Sequence, residues 1–301
     1  MGVTRKMKAM IFGLGSIGTR HVRLLLDMGH EVIAFRSGKK GFKNTLGIPE
    51  VNSWNELDSW EVESALITNP TDQHIETALR CAEQNIPIFL EKPISASLEN
   101  LDTLISLVEK HSVPTYVAYV LRFHPEVKSL KEKVRGRKIR RAKFMCRSYL
   151  PDWRPELNHL ESYSASSIRG GGALLDVSHE FDLVSYIMGP IEKIEGRLEK
   201  RSNVTIDAED FVEARVETRH GEAEVIIDIA SKESERKIVI ETESEILEAN
   251  LLDGRDRDIL YREQLEYFID HRKDTRMMNN LCEASNLFRK LLSFREKSFA
   301  I

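Results

Sequence analysis

Two short stretches of the sequence place ionisable side chains beside glycines or at the end of an apolar run. The stretch GGGALLDVSHEFD at 170–182 contains Asp176 and His179, and the stretch LEKPI at 90–94 contains Lys92. An imidazole that titrates near neutral pH can take a hydroxyl proton while hydride leaves the adjacent carbon, and can return it in the reverse direction. A lysine ammonium can hydrogen-bond the substrate oxygen involved. These residues predict proton transfer at a carbon–oxygen centre.

Each of these interpretations has a structural alternative. Lys92 follows an apolar strand, so we expect it at the carboxyl end of a parallel sheet, where ligands of such folds bind, with Glu91 fixing its direction. Otherwise Lys92 is a surface lysine before the turn residue Pro93. A lone histidine is more often structural, and Asp182, which lies three residues after His179, can support the fold instead.

A glycine motif near the amino terminus predicts a dinucleotide site. The stretch FGLGSIGTRH places Gly13, Gly15 and Gly18 in GxGxxG register, with Ser16 and Ile17 between them, after a predicted strand and at the start of a predicted helix. Glycines in this register permit a tight turn and let backbone N–H groups approach a pyrophosphate at the positive end of the helix. The strand before the motif and the helix after it favour a functional site.

The residue at the end of the second predicted strand indicates which dinucleotide binds. An NAD site usually has an acid there, which holds the ribose 2′-hydroxyl and repels a 2′-phosphate. Here the position is Arg36, followed by Ser37, Lys39 and Lys40. These groups suit a phosphate, so we predict NADP(H) as the preferred cofactor and NAD(H) as the alternative. The other interpretation is a solvated basic loop.

The elements that must position these residues follow two patterns. Residues 7 to about 118 alternate apolar strands with amphipathic helices, which implies parallel pairing through crossover connections. After about residue 120, strands arrive in succession, and two helices at roughly 260–272 and 281–296 close the chain. We predict an α/β protein: an N-terminal doubly wound parallel Rossmann sheet over 1–119, and a C-terminal α+β domain with an open, mostly antiparallel sheet over 120–301.

Composition excludes several classes of function. The chain has 301 residues and a net charge of −4, which predicts no attraction for nucleic acid or an anionic membrane. Cys81, Cys146 and Cys282 are far apart and odd in number, so we expect neither a disulfide framework nor a structural zinc site. No apolar run reaches the roughly 20 residues that span a bilayer, and the amino terminus is predicted to be a strand rather than a signal sequence. We expect a cytoplasmic protein.

Aromatic and basic residues before the glycines indicate a loop over the substrate. In YLPDWRPEL at 149–157, Trp153 can lie against a sugar face, and Arg154 can clamp a carboxylate or phosphate through two hydrogen bonds. Tyr163 and Arg169 lie in the following stretch and are further candidates for substrate binding. The alternative is an ordered surface loop that the tryptophan pins in place.

Taken together, the motifs resemble those of the Gfo/Idh/MocA oxidoreductase family. They occur in the family's order and cover nearly the whole chain: GLGSIG at 13–18, TNPTDQH at 68–74, LEKP at 90–93, LRFHP at 121–125 and GGGALLDVSHEFD at 170–182. The resemblance implies a Rossmann domain, a carboxy-terminal mixed sheet, a nicotinamide cofactor, and usually a sugar or polyol substrate.

The resemblance also implies roles for individual residues. Lys92 resembles the family lysine between nicotinamide and substrate, and His179 resembles the catalytic histidine. Asn69, Pro70 and His74 lie in the stretch that lines the nicotinamide side of the cofactor in similar proteins.

Two features of the resemblance leave roles open. Asp176 precedes His179 by three residues, whereas many members have four, so its role as partner of the histidine or the substrate is open. LRFHP is expected to pack at the domain junction, with Arg122 a lesser candidate for substrate binding. The stretches YLPDWRP and LDVSHE resemble members associated with bacterial surface-polysaccharide and acidic-sugar biosynthesis.

The sequence therefore predicts an NADP(H)-preferring oxidoreductase that moves a hydride to or from a carbinol or keto carbon of a sugar-like substrate. Lys92 and His179 would manage the proton, with Asp176 assisting and no metal ion required. One alternative is an enzyme that cleaves glycosides by elimination or hydrolysis, through transient oxidation by tightly bound NAD. Another is a non-catalytic NADP-binding regulator. The open sheet also predicts a homodimer or homotetramer.

Overall fold

The computed structural model describes residues 6–36, 44–57, 60–153 and 163–299. The chain divides into two units: residues 1–118 with 257–284, and residues 119–256 with 285–301. The sequence places everything after residue 119 in the second domain, whereas residues 257–284 group with the first unit.

The first unit contains a six-stranded parallel sheet in the order β3-β2-β1-β4-β5-β6. Its strands are β1 (Lys8–Phe12), β2 (Glu31–Phe35), β3 (Glu50–Val51), β4 (Ser64–Ile67), β5 (Ile88–Glu91) and β6 (Thr115–Ala118). The central strands read as apolar runs because both faces of a parallel sheet are covered. Chain order reverses between β1 and β4, so the carboxyl ends of these two strands form the switch point of the sheet.

Five helices accompany this sheet: α1 (Ser16–Asp27), α2 (Trp54–Leu57), α3 (His74–Glu83), α4 (Leu101–His111) and α8 (Arg257–His271). The helix α8 packs against α1. The Arg20 guanidinium lies 2.8 Å from the Asp258 carboxylate, and the His21 ring meets the Tyr261 ring edge-on with centroids 5.7 Å apart. These contacts explain why residues 257–284 belong to the first unit.

The second unit contains a six-stranded sheet in the order β12-β11-β7-β10-β9-β8. Its strands are β7 (Ile139–Tyr149), β8 (Ile191–Glu199), β9 (Phe211–Thr218), β10 (Gly221–Asp228), β11 (Ala230–Thr242) and β12 (Ile246–Asn250). The pair β7 and β10 is parallel, and the other four pairs are antiparallel. The helices are α5 (Pro125–Val134), α6 (Ala173–Asp176) and α7 (His179–Met188), with α9 (Leu281–Phe299) shared between the units. The predicted fold class is confirmed.

Two local features differ from the sequence pattern. A threonine before an amphipathic segment predicts a helix cap at Thr71, but Thr71 begins a short 3-10 turn at Thr71–Gln73, and α3 starts at His74. The spacing of Leu98, Leu101 and Leu104 predicts a helix with Leu98 on its inward face, but Leu98 is 40% exposed because α4 begins only at Leu101.

Candidate functional site

The glycines after β1 form a close backbone cradle. Gly13 has φ +97°, and a Cβ built there would lie 2.7 Å from the Asn69 Cα. A Cβ on Gly18 would overlap the Gly13 carbonyl group, whereas a Cβ on Gly15 would meet nothing within 4 Å. The Thr68 hydroxyl donates to the Gly13 carbonyl at 2.8 Å and ties the turn to the end of β4. Gly13 and Gly18 are therefore required by the turn itself, while Gly15 faces open space.

The open side of this cradle fits the diphosphate of a dinucleotide. Gly15 and Ser16 are exposed at the first turn of the twelve-residue helix α1, and Ile17 is half-buried. No side chain caps this helix end at Gly15, so its first backbone N–H groups remain available to a phosphate.

The end of β2 presents Arg36 as the sequence predicts, but with an acidic neighbour. Its guanidinium lies 3.6 Å from the Glu50 carboxylate, and its backbone N–H donates to the Val51 carbonyl at 2.9 Å. The Glu50 charge offsets part of the attraction of Arg36 for a 2′-phosphate. Ser37, Lys39 and Lys40 lie outside the described residues.

The stretch after β4 is held by His74. The two imidazole nitrogens each lie 2.9 Å from a carbonyl oxygen, Nδ1 from that of Pro93 and Nε2 from that of Asn69. Burial lowers the pKa of His74, although both carbonyl contacts oppose this. A neutral imidazole donates to only one of the two. His74 therefore connects the Asn69–Pro70 stretch to the turn after Lys92, and it is fully enclosed.

Glu91 fixes Lys92 through the backbone. One carboxylate oxygen accepts from the Lys92 backbone N–H at 3.2 Å, and the other lies 2.8 Å from the His21 Nε2. That Glu91 directs the Lys92 ammonium stays a prediction, and the same carboxylate also contacts His21 on α1. His21 is fully buried and meets the Phe89 ring edge-on. His21 is not among the residues that the sequence singles out. The feature that could have indicated it is its position three residues after Gly18 on the predicted helix.

In the second unit, the stretch 170–182 forms two helices with a break between them. The helix α6 ends at Asp176, and α7 begins at His179. The Asp176 backbone N–H donates to the Gly172 carbonyl at 3.1 Å. Asp176 and His179 therefore lie on two different helices.

His179 is the part of this stretch that reaches the surface. Within 170–184, His179 is half-exposed and all the remaining residues are buried. The Tyr119 ring meets its imidazole edge-on with centroids 5.5 Å apart, and the Tyr119 hydroxyl donates to the Ser178 hydroxyl at 3.2 Å. The Asp176 carboxylate belongs to the same buried stretch and is 7% exposed.

Two buried ion pairs hold the first turn of α7. The Arg122 guanidinium donates to both carboxylate oxygens of Asp182, at distances from 2.6 to 3.2 Å. The Arg236 guanidinium likewise donates to both oxygens of Glu180, at 2.7 and 3.0 Å. Sequence analysis treats Arg122 as a substrate candidate, but the structure gives it a buried partner. It missed the pairing of Glu180 with Arg236, which lies 56 residues away.

The proposed substrate loop is described in part. The Trp153 indole N–H donates to the Ser148 hydroxyl at 3.1 Å, and the residue is half-buried. Arg169 is half-buried and donates its backbone N–H to the Ser166 carbonyl at 3.2 Å. Arg154 and the Tyr163 side chain lie outside the described residues.

The described residues contain neither a cluster that could hold a metal ion nor a helix that could cross a membrane. Within residues 6–36, 44–57, 60–153 and 163–299, no group of three or more His, Cys, Asp or Glu side chains is arranged to hold a metal ion. Across that same part of the chain, none of the helices combines the length and the apolar character that crossing a membrane requires.

Comparison with known proteins gives relatives of partial coverage. Myo-inositol 2-dehydrogenase of Thermotoga maritima is 27% identical over 191 residues, which are 61% of this chain and 55% of that protein. The 2,7-anhydro-N-acetylneuraminate hydratase of Mediterraneibacter gnavus is 26% identical over 183 residues, 60% of this chain and 48% of that protein. The matches thus span about half the length of these relatives.

A solved structure of similar fold covers nearly the whole chain. It is the WlbA dehydrogenase from Bordetella pertussis in complex with NADH and UDP-GlcNAcA, with a TM-score of 0.82 and 17% identity. The likeness extends over 99% of this chain and 97% of that one. At this identity it concerns the fold alone.

Two family models match successive parts of the sequence. The model of an oxidoreductase family with an NAD-binding Rossmann fold matches residues 7–119. The model of the GFO/IDH/MocA C-terminal domain matches residues 127–243. Since these matches together cover more than half of the chain, the protein belongs to the Gfo/Idh/MocA family of oxidoreductases.

Proposed function

We propose that this protein is a nicotinamide-dependent oxidoreductase that acts on a carbinol or keto carbon of a sugar or sugar-derived substrate. The observation that carries the proposal is the exposure of His179 alone within the otherwise buried stretch 170–184. The cradle of Gly13, Gly15 and Gly18 supports the cofactor. Nicotinamide, when bound, supplies hydride transfer at C4.

The chain's own residues handle the proton. The Lys92 ammonium hydrogen-bonds the substrate oxygen and stabilises negative charge on it. The His179 imidazole accepts the hydroxyl proton in oxidation and returns it in reduction. Asp176 assists by orienting the histidine or a substrate hydroxyl group.

We infer that NADP(H) is preferred, on the basis of Arg36. The ion pair with Glu50 sharpens the test of this preference, because Glu50→Gln removes the acidic charge that lies 3.6 Å from the guanidinium. NADPH and NADH are titrated by fluorescence against the wild type, Arg36→Ala and Glu50→Gln. We expect Arg36→Ala to weaken NADPH selectively and Glu50→Gln to strengthen it. Equal effects on both dinucleotides would refute the preference.

The substrate class rests on the family and on the relatives. The names of the compared proteins include an inositol dehydrogenase and a dehydrogenase bound to UDP-GlcNAcA. We propose that Trp153, Arg154, Tyr163 and Arg169 contact the substrate. Arg122 is the weakest of the proposed substrate residues because Asp182 occupies its guanidinium.

The roles of Lys92 and His179 are tested separately. Polyols and keto-sugars are screened with both dinucleotides, and turnover is then measured for Lys92→Ala and His179→Ala. We expect each variant to lose on the order of a hundredfold or more in kcat, the usual contribution of a general acid or base. Dinucleotide affinity of His179→Ala should match the wild type. Near-normal turnover in either variant would remove that residue from the mechanism.

A second candidate function is a reaction without net oxidation, in which a tightly held dinucleotide oxidises the substrate transiently before elimination or hydrolysis. The relative named as a hydratase favours it. The distinguishing measurement is the absorbance of the purified protein after extensive dialysis. Stoichiometric retained NAD(H), together with turnover that needs no added dinucleotide, would favour this candidate over the dehydrogenase.

A further inference from the structure

Resting on the proposed function, we propose that Glu209 is a positioning residue, which holds the start of α6 and so places Asp176 and His179 for proton transfer. It lies 33 residues after Asp176 along the chain and two residues before β9. No contact of Glu209 with a substrate is involved.

Glu209 accepts hydrogen bonds from two successive backbone N–H groups at the start of α6. Its backbone carbonyl accepts from Ala173 at 2.9 Å, and its side-chain Oε1 accepts from Leu174 at 3.0 Å. The first N–H groups of a helix have no partner within the helix, so an acceptor supplied from outside fixes where it begins. Asp176 is only two residues beyond Leu174, and it ends this helix.

Gly172, the third glycine of the stretch 170–182, lies directly against the Glu209 carboxyl group. Gly172 has φ +97°, and a Cβ built there would lie 2.5 Å from the Glu209 Oε1. The backbone of the turn therefore passes directly over the carboxyl group, with no room for a side chain between them. Substrate contact is not needed to explain a glycine at 172.

The segment that carries Glu209 is itself fixed by its neighbours. The Asp210 carboxylate accepts from the backbone N–H groups of Arg201 at 2.7 Å and Ser202 at 2.9 Å. The Asp210 carbonyl accepts from the Ile229 N–H at 2.9 Å, beside β10. Glu209 therefore transmits the position of the sheet to the turn, rather than moving with the turn.

Glu209 acts through the length of its side chain, which brings an acceptor oxygen to the Leu174 N–H. The residue is 3% exposed, and this burial raises the pKa of its carboxyl group. The charge of Asp210 also raises the pKa, whereas the hydrogen bond from Leu174 and the charge of Arg295 lower it. Its Oε2 is buried, with no hydrogen-bond partner among the residues that the structure describes. A glutamine amide presents an acceptor oxygen at the same distance from the backbone as the Glu209 carboxyl group does.

Two variants separate length from charge. Glu209→Gln keeps the length and removes the ionisable group; Glu209→Asp keeps that group and is one methylene too short to reach Leu174. We expect the Gln variant to stay within about twofold of the wild-type kcat, and the Asp variant to lose about tenfold to a hundredfold, as small displacements of reacting groups do. Dinucleotide affinity should be unchanged in both. Loss of kcat in the Gln variant, or a normal kcat in the Asp variant, would overturn the proposal.

The control variant is Thr242→Val, which removes a buried hydroxyl that bonds the turn at Glu245 and makes no bond to α6 or to the segment carrying Glu209. It should lower the melting temperature and leave kcat unchanged. If its kcat falls as far as that of Glu209→Asp, general loosening explains the effect and the positioning role is wrong.

A readout without turnover keeps this test separate from the proposed function. In Glu209→Asp the Leu174 amide should exchange its hydrogen faster, while the Ala173 amide, bonded to the backbone carbonyl, should not. Unchanged Leu174 exchange would contradict the role of Glu209 even if the enzyme is active. A wild type that binds dinucleotide but turns over no sugar or polyol would refute the proposed function, and the exchange data would still decide the contact.

Discussion

Replacing Arg122 distinguishes its two assigned roles, in substrate binding and in holding α7. The side chains of Arg122 and Asp182 are 3% and 1% exposed, and both carboxylate oxygens accept from the guanidinium. Arg122→Met keeps most of the side-chain volume and removes the cation. It leaves the Asp182 carboxylate buried without its cation, at the amino end of α7.

The expected loss is large because the pair is buried. Removing one partner of a buried ion pair costs about 3–5 kcal/mol, since the remaining charge loses its compensation. The Arg122 guanidinium also lies 5.0 Å from the Tyr186 ring centroid, a cation–π contact that adds on the order of 1 kcal/mol. The two losses together are about 4–6 kcal/mol, and with about 2–4 °C per kcal/mol for a domain of this size we expect the melting transition of the second unit to fall by about 8–24 °C.

The assay is urea and thermal unfolding of the wild type, Arg122→Met and Arg122→Met/Asp182→Leu. The double variant removes both charges, so it should recover most of the lost free energy of unfolding, since buried pairs replaced by apolar groups are often neutral. Arg122→Lys should lie between, because an ammonium cannot form the two-pronged contact. An Arg122→Met protein that unfolds within about 1 kcal/mol of the wild type but has a raised substrate KM would refute this reasoning and assign Arg122 to the substrate.

Three further predictions test the first unit and the thiols. Gly15→Ala should keep the wild-type melting temperature and weaken dinucleotide binding at least about tenfold, because only a ligand would meet the added methyl group, whereas Gly18→Ala should lose stability as well; calorimetry and NADPH fluorescence separate the two. In the native protein a thiol reagent should modify Cys282 first, since Cys282 is exposed while Cys81 is buried and burial raises its pKa; equally rapid reaction of Cys81 would contradict its packing. Burial lowers the pKa of His74, so the unfolded chain binds the proton at a higher pH than the folded chain, and stability falls as the pH drops below about 6.5. We expect the melting temperature of His74→Gln to change less between about pH 7 and 5 than that of the wild type. If it changes as much, His74 does not cause the loss of stability in acid.

The sequence predicts well whatever depends on neighbours along the chain. The cradle at Gly13–Gly18 and the position of Lys92 after β5 follow from apolar runs that end in glycine or proline, and the hairpin of β9 and β10 follows from alternation around Gly221. These patterns are local, so the chain order alone places them.

What the sequence could not predict depends on partners far along the chain. His21 and Glu91 are 70 residues apart, and Arg122 and Asp182 are 60 apart. The sequence does not reveal that Arg122 pairs with Asp182, because the two residues meet only in the folded chain. The same holds for Glu209, whose bond to Leu174 spans 35 residues. A charged residue at a predicted site can therefore have a partner in the folded protein that makes a role in ligand binding unnecessary.

The spacing between Asp176, His179 and Asp182 shows why this matters for the mechanism. Alignment on H-x-x-D keeps His179 and Asp182 together, and the structure gives Asp182 a packing role, because its carboxylate is bonded to Arg122. This ion pair fixes the first turn of α7, and so it also fixes the position of His179. Asp176 lies in α6 and not in α7, so the contact between Arg122 and Asp182 does not fix its position directly. Asp176 is therefore the residue whose contribution should vary with spacing, and Asp176→Asn should reduce kcat less than His179→Ala does.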